Sequence, residues 1–244
     1  MSHLYLDESL DLGVLAPGAQ VRLSGDEARH AVTVSRVRPG EQVAVGDGRG
    51  TLAQCSVLET APRELVLEVV SVEITPAPSP RITLVQALAK GDRDELAVQA
   101  ATELGVDAIV PWSASRSVSR WDGPKAEKGR SRWASIVREA TKQSIRPWMP
   151  AVAPLTSTAG LPALLEGTRV LLLEPTAQAA LTGLRADGRD LALVVGPEGG
   201  IAPAEIERLV AAGAETVRLG ASVLRTSTAG PAAIAVLNAE LGRW

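Results

Sequence analysis

The sequence has no phenylalanine and one tyrosine in 244 residues, with one cysteine, two histidines and two methionines. Scarce aromatics do not mean a missing core. Hydrophobic residues make up 45% of the chain, so the interior is expected to be built from Leu, Val, Ile and Ala. The single cysteine, Cys55, excludes an internal disulfide framework and a multi-cysteine metal site. It falls in an alternating, strand-like run, where an inert buried thiol is expected. His3 and His30 lie far from each other and from any metal-binding constellation, so no metal is expected. No apolar stretch of about 18 residues is free of charge, and the N-terminus has no signal-type hydrophobic region. The protein is therefore expected to be soluble and cytoplasmic.

Charge of one sign is also lacking. The formal net charge of -3 gives no global basic field for nucleic acid. That value hides a local excess. From Arg116 to Arg146 nine Lys or Arg stand against Asp122, Glu127 and Glu139.

Residues 1–75 read as a small β-rich domain. Segments 4–6 and 20–23 are short strand candidates, and 64–74 is a long one rich in Val and Leu. Segments 42–45 and 51–58 flank Gly46-Asp-Gly-Arg-Gly50, a hairpin-like turn. Segment 26–35 reads as a helix carrying Arg29 and His30, with Arg36 and Arg38 beside it. A small barrel with one basic edge suits RNA contact; an ordinary barrel with a solvated charged face is the other reading.

Thr75-Pro-Ala-Pro-Ser-Pro80 has a linker composition and places a domain boundary between residues 75 and 76. Strand and helix then alternate. Strands are expected at 81–88, 108–112, 169–173, 193–195 and 216–219. Helices are expected from 91 or 92 to 104, at 130–143, 161–165 and 203–212, and from 228 to 241. Residues 113–129 read as an irregular basic loop. Trp133, Ile136, Val137 and Ala140 share one helical face, so Trp133 is expected in the core. Pro231 fits the last helix only in its first turn, which favours Thr228 over Thr226 as N-cap. The pattern is an α/β domain with a largely parallel sheet.

Several nucleotide and hydrolase signatures are missing. No Gly-x-Gly-x-x-Gly joins the first strand of this domain to its helix, and there is no P-loop and no Gly-x-Ser-x-Gly elbow. What remains is Leu193-Val-Val-Gly196-Pro-Glu-Gly-Gly200, then Leu219-Gly220 and Leu224-Arg-Thr-Ser-Thr228. These are strand ends followed by loops poor in bulky side chains. Such loops line ligand pockets with backbone; here the pocket suits an adenine-bearing cofactor, with Leu219 and Leu224 on its faces. The plainer reading is that these glycines only end strands.

The order of motifs is more specific than any one of them. Gln86-Ala-Leu-Ala-Lys90-Gly-Asp-Arg93, Gln99-Ala-Ala-Thr-Glu103-Leu-Gly-Val, Ser115-Arg-Ser117-Val, Arg132 through Gln143-Ser, Gly196-Pro-Glu-Gly-Gly200 and Leu219-Gly with Leu224-Arg-Thr together resemble the RsmE family. These are bacterial methyltransferases acting on N3 of a uridine in small-subunit ribosomal RNA, within the trefoil-knotted SPOUT superfamily. The likeness covers almost the whole chain, and its N-terminal part resembles the family's PUA-like barrel.

The resemblance implies a C-terminal knot holding S-adenosylmethionine. It implies cofactor contacts from Leu173, Glu174, Pro175 and Thr176, from Gly196, Pro197, Glu198, Gly199 and Gly200, and from Leu219, Gly220, Leu224, Arg225, Thr226 and Thr228. It also implies a homodimer, with the last helix in the interface. Arg225 is the expected holder of RNA phosphate or uracil carbonyls, through its donor fork. Glu198 is expected either to contact cofactor or uridine or to cap the following turn. RNA contacts are expected from Arg29, His30, Arg36, Lys90, Arg93, Arg116, Arg120, Arg132, Arg138 and Lys142, and Glu103 is expected to pair with a basic neighbour. Four positions depart from the family pattern. Ser227 stands for its usual Glu, Ser35 for Leu, and Gly230-Pro231 for Ala. Two other functions stay open: a knotted methyltransferase with another RNA target, and a non-catalytic RNA-binding assembly protein.

Overall fold

Alternating burial builds the first half of the chain. The computed structural model describes residues 3–244. Its early strands are β1 (Leu4–Leu6), β2 (Gln20–Ser24), β3 (Gln42–Gly46), β4 (Thr51–Ala61) and β5 (Glu64–Ile74), with the helix α1 (Gly25–Arg29) after β2. In β4 the inward positions are Ala53, Cys55 and Val57; in β5 they are Leu65, Leu67 and Val69. They meet Val21, Leu23, Val43 and Val45 in one aliphatic core. Burial pushes the Cys55 thiol up to about 11, so it stays protonated and inert at neutral pH.

One expectation changes in detail here. The strands run in the order β1-β3-β4-β5-β2, and among the described residues β1 and β2 do not pair with each other. The domain is the small β-rich unit expected, laid out as a five-stranded sheet. The helix expected at 26–35 is α-helical only to Arg29; His30–Val34 forms a π-turn. Arg36 then takes a left-handed φ of 54°, which ends any helix.

The second half alternates as expected. It comprises β6 (Ile82–Ala87), α2 (Arg93–Glu103), β7 (Ala108–Ser113), α3 (Pro124–Gln143), β8 (Ala151–Val152), β9 (Thr156–Ser157), α4 (Leu161–Leu164), β10 (Arg169–Leu173), β11 (Leu191–Val195), α5 (Pro203–Ala211), β12 (Glu215–Val217) and α6 (Thr226–Glu240). The sheet order is β12-β10-β11-β6-β7-β8, with β9 also on β7, and every pairing is parallel. Central β11 is buried throughout, as the unbroken run Leu-Ala-Leu-Val-Val requires.

Two helices begin earlier than the sequence suggested. α3 starts at Pro124, so residues 124–129 are helical rather than loop. Proline suits a first helical turn. Trp133 is buried, with the Trp121 ring edge-on to it at 5.1 Å. α6 starts at Thr226 with Arg225 as its N-cap, and Thr228 lies inside the helix. Pro231 therefore sits beyond the first turn. Gly230 beside it lets α6 lie close on the sheet; a Cβ there would come within 2.9 Å of Leu84 Cδ1.

The chain forms two compact units. One runs to Ala77 and takes back Thr141–Met149; the other holds Pro78–Ala140 and Pro150–Trp244. Among the described residues no helix is long and apolar enough to cross a membrane, and no His/Cys/Asp/Glu group could hold a metal ion.

Candidate cofactor cavity and basic residues

Parallel strands open their loops at one end, and there the second unit carries a cavity of about 410 Å³. That volume lies in the range of about 300–1,000 Å³ usual for small-molecule sites. Its walls are the loops after β10, β11 and β12. Of the expected cofactor residues, Leu173, Glu174 and Pro175 line it from the first loop. Gly196, Pro197, Glu198 and Gly200 line it from the second, and Leu219, Gly220, Leu224, Arg225 and Thr226 from the third. Thr176, Gly199 and Thr228 do not reach its lining. Thr176 is turned back onto Glu174, to whose Oε1 its hydroxyl donates at 3.0 Å. Gly199 faces Arg116, whose Nη1 donates to its carbonyl at 3.1 Å. Thr228 is an exposed residue of α6.

The sequence reading missed Val195, Ile201, Ser222, Val223 and Ala229, which also line the cavity. Ile201 was findable as the first large apolar residue after the glycines. A Cβ on Gly196 would fall 2.6 Å from Ile201 Cγ1, so glycine at that turn is what lets Ile201 pack against it.

Glu198 is held at two points. The Lys90 N–H and Arg93 Nη1 each donate to its Oε1 at 3.0 Å. Burial disfavours its charged form, but the backbone N–H groups and Arg93 outweigh that and hold its carboxyl below the usual range. Arg93, expected to face RNA, also lines the cavity and is paired with Glu198. The Arg225 guanidinium makes no hydrogen bond or ion pair among the described residues, so it is the cavity's uncommitted cation.

A buried carboxylate braces the same wall. Glu205, on α5, accepts from the Ser115 N–H at 2.9 Å, from the Ser115 hydroxyl at 2.8 Å and from the Ala202 N–H at 3.3 Å. The Thr158 hydroxyl donates to it as well. Burial works against its ionised form, yet these donors keep its pKa below the ordinary value.

The other basic residues divide by environment. Arg29 is exposed and 3.5 Å from Asp26; His30 and Arg36 are exposed. Lys90 is exposed, and Arg120 is exposed with Nη2 donating to the Ser115 carbonyl at 3.3 Å. Arg132 is paired with Glu95, and Arg138 is half-buried on α3. Lys142 is a correction: its side chain is 6% exposed and its Nζ lies 3.1 Å from Glu27, so it is not placed to hold a phosphate. Glu103 accepts from Gln99 within α2 rather than from a cation.

Comparison with known proteins bears on the same site. A family model described as an RNA methyltransferase domain matches residues 75–238, and one described as an RNA methyltransferase PUA domain matches 23–70. Proteins named ribosomal RNA small subunit methyltransferase E from Mycobacterium bovis and Mycobacterium tuberculosis are each 43% identical, over 98% of this chain and 92% of theirs. A crystal structure of the protein of that name from Neisseria gonorrhoeae, bound to S-adenosyl methionine, matches with a TM-score of 0.87 and 30% identity over 98% of both chains.

Proposed function

Because this chain belongs to the ribosomal RNA small subunit methyltransferase E family, we infer that it moves a methyl group from S-adenosylmethionine to N3 of one uridine in 16S ribosomal RNA. S-adenosylmethionine-dependent methylation of 16S ribosomal RNA is the activity its relatives and fold carry. The choice of uridine N3, the assembled small subunit as substrate, a homodimer, a knotted C-terminal half and a cytoplasmic location belong to the proposal.

The observation that carries the reading is the cavity bounded by three strand-end loops. It fits the cofactor in size and in chemistry. Val195, Ile201 and Leu219 give apolar faces, and the glycine turns at 196, 200 and 220 expose backbone donors and acceptors. When bound, the cofactor supplies an electrophilic methyl on a sulfonium. The chain's own contribution is placement, since transfer needs an in-line approach of the accepting nitrogen. Arg225 offers a planar fork of donors at the rim, suited to uracil carbonyls or a phosphate. Glu198, fixed by Lys90 and Arg93, lines the same cavity and stays ionised at neutral pH. Exposed Arg29, His30, Arg36, Lys90, Arg116 and Arg120 are the residues proposed to meet the RNA backbone.

The test is transfer of labelled methyl from S-adenosylmethionine to small subunits lacking the modification, with naked 16S RNA and large subunits alongside. Label in the small subunit alone is the expected result. Label in none of the three, with cofactor binding intact, would favour a non-catalytic RNA-binding role.

A further inference from the structure

Strand β6 carries one polar side chain that is completely buried, Gln86, between Val85 and Ala87. An amide in that position is costly unless its groups are bonded. Its Nε2 donates to Thr226 Oγ1 at 2.9 Å and to the Ala87 carbonyl at 3.1 Å. The Thr226 hydroxyl in turn donates to the Gly196 carbonyl at 2.8 Å. A hydroxyl has one hydrogen to give. With Gln86 filling a lone pair, that hydrogen is directed at Gly196. The opposite amide orientation would set Oε1 against the Ala87 carbonyl and take the Thr226 hydrogen away from Gly196. The chain of donors therefore has one consistent direction, set by Nε2 alone, since the buried Gln86 Oε1 has no hydrogen-bond partner among the described residues.

This chain joins the ends of β6 and β11 to the first residue of α6. Thr226 and Gly196 both line the cavity, whereas Gln86 stands behind them and does not. The tie also accounts for the start of α6 at Thr226 despite Pro231, since the Thr226 hydroxyl is fixed from both sides.

We propose that Gln86 is a positioning residue for the methyl-transfer site, acting through the Thr226 hydroxyl to hold the Gly196 peptide in its cofactor-binding orientation. The proposal rests on the reading of the cavity as the S-adenosylmethionine site. Gln86→Met keeps the length of the side chain and removes both polar atoms; Thr226→Val keeps the shape and removes the hydroxyl.

The experiment measures S-adenosylmethionine affinity by calorimetry, and the thermal midpoint, for the native protein, Gln86→Met, Thr226→Val, the double variant and Thr226→Ser. Each apolar variant is expected to weaken binding about tenfold, and the double variant by no more than about twofold beyond the worse single one, because both break one path. Thr226→Ser is expected to bind within about threefold of native, since it restores the donor. A residue that only supports the fold would lower the midpoint and leave affinity unchanged in the folded protein; that result overturns the proposal, as do fully additive losses. If Gln86→Met does not fold, equal affinities of Thr226→Val and Thr226→Ser overturn it alone. A native protein that binds no S-adenosylmethionine would overturn the functional reading itself, an outcome separate from unchanged variants on a binding-competent native chain.

Discussion

Arg225 and Glu198 share one cavity and differ in what already holds them. Glu198 is tied by Lys90 and Arg93, whereas the Arg225 guanidinium is not engaged within the described residues. An uncommitted cation at a ligand rim serves the reaction more than the fold. Arg225→Ala is expected to lower the rate of methyl transfer at saturating cofactor by tenfold or more, about 1.4 kcal/mol of transition-state stabilisation. The thermal midpoint is expected to stay within error, and single-turnover kinetics with thermal melts would show the split. Arg225→Lys is expected to recover little, because an ammonium lacks the planar fork. Gly-rich strand ends advertise backbone-lined loops and marked the second and third loops of the cavity, whereas Leu173, Glu174 and Pro175 were implied only by the family resemblance. The carboxylate partners of Arg93 and Lys142 were not legible, because nothing in a linear run of cations says which one meets a carboxylate. Arg93 meets Glu198 across more than a hundred residues of chain, and Lys142 meets Glu27 likewise.

At the scale of elements, α5 and α6 depend on contacts that periodicity does not report. Residue 202 is an alanine and offers no capping side chain, so the N-terminus of α5 relies on Glu205 reaching back to the Ala202 N–H. The same carboxylate holds Ser115 and so fixes the segment that places Arg116 on Gly199. Glu205→Gln is expected to cost about 2 kcal/mol at pH 7, as donors aimed at a carboxylate meet an amide instead. The donors around it hold the folded pKa below the ordinary value of 4.5, which sets the sign of its pH dependence. Its contribution is whole above pH 4.5, and is lost as pH falls below that value, because the unfolded chain takes up the proton first. Urea unfolding of both proteins from pH 7 to pH 3 should show the gap narrowing only below about pH 4.5. For α6, the sequence rule for proline pointed to a start at Thr228. The Thr226 hydroxyl, bonded to Gln86 and Gly196, moved it two residues back; a tertiary tie outweighed a local preference. The early start of α3 has a simpler origin. The run 124–129 is charged and glycine-containing, so it shows no apolar stripe, but nothing in it forbids a helix once Trp121 covers Gly129.

For the whole molecule, the change of rhythm near residue 75 was legible, because an alternating β pattern gives way to buried strands spaced by helices. The strand order was not. Nothing in the run Leu-Val-Val before Gly196 says that it lies between β10 and β6, yet that order gathers the three loops at one end of the sheet. The return of Thr141–Met149 to the first unit was equally hidden, since helix α3 continues across that division without a break in its pattern. The proposed reaction of this chain is methylation at N3 of a uridine in small-subunit ribosomal RNA. Its most direct test is nucleoside mass analysis of 16S RNA recovered from unmodified small subunits incubated with the protein and S-adenosylmethionine. N3-methyluridine at a single site is expected, absent when cofactor is withheld. A methyl group on any other base or ring atom, or none despite bound cofactor, would contradict it.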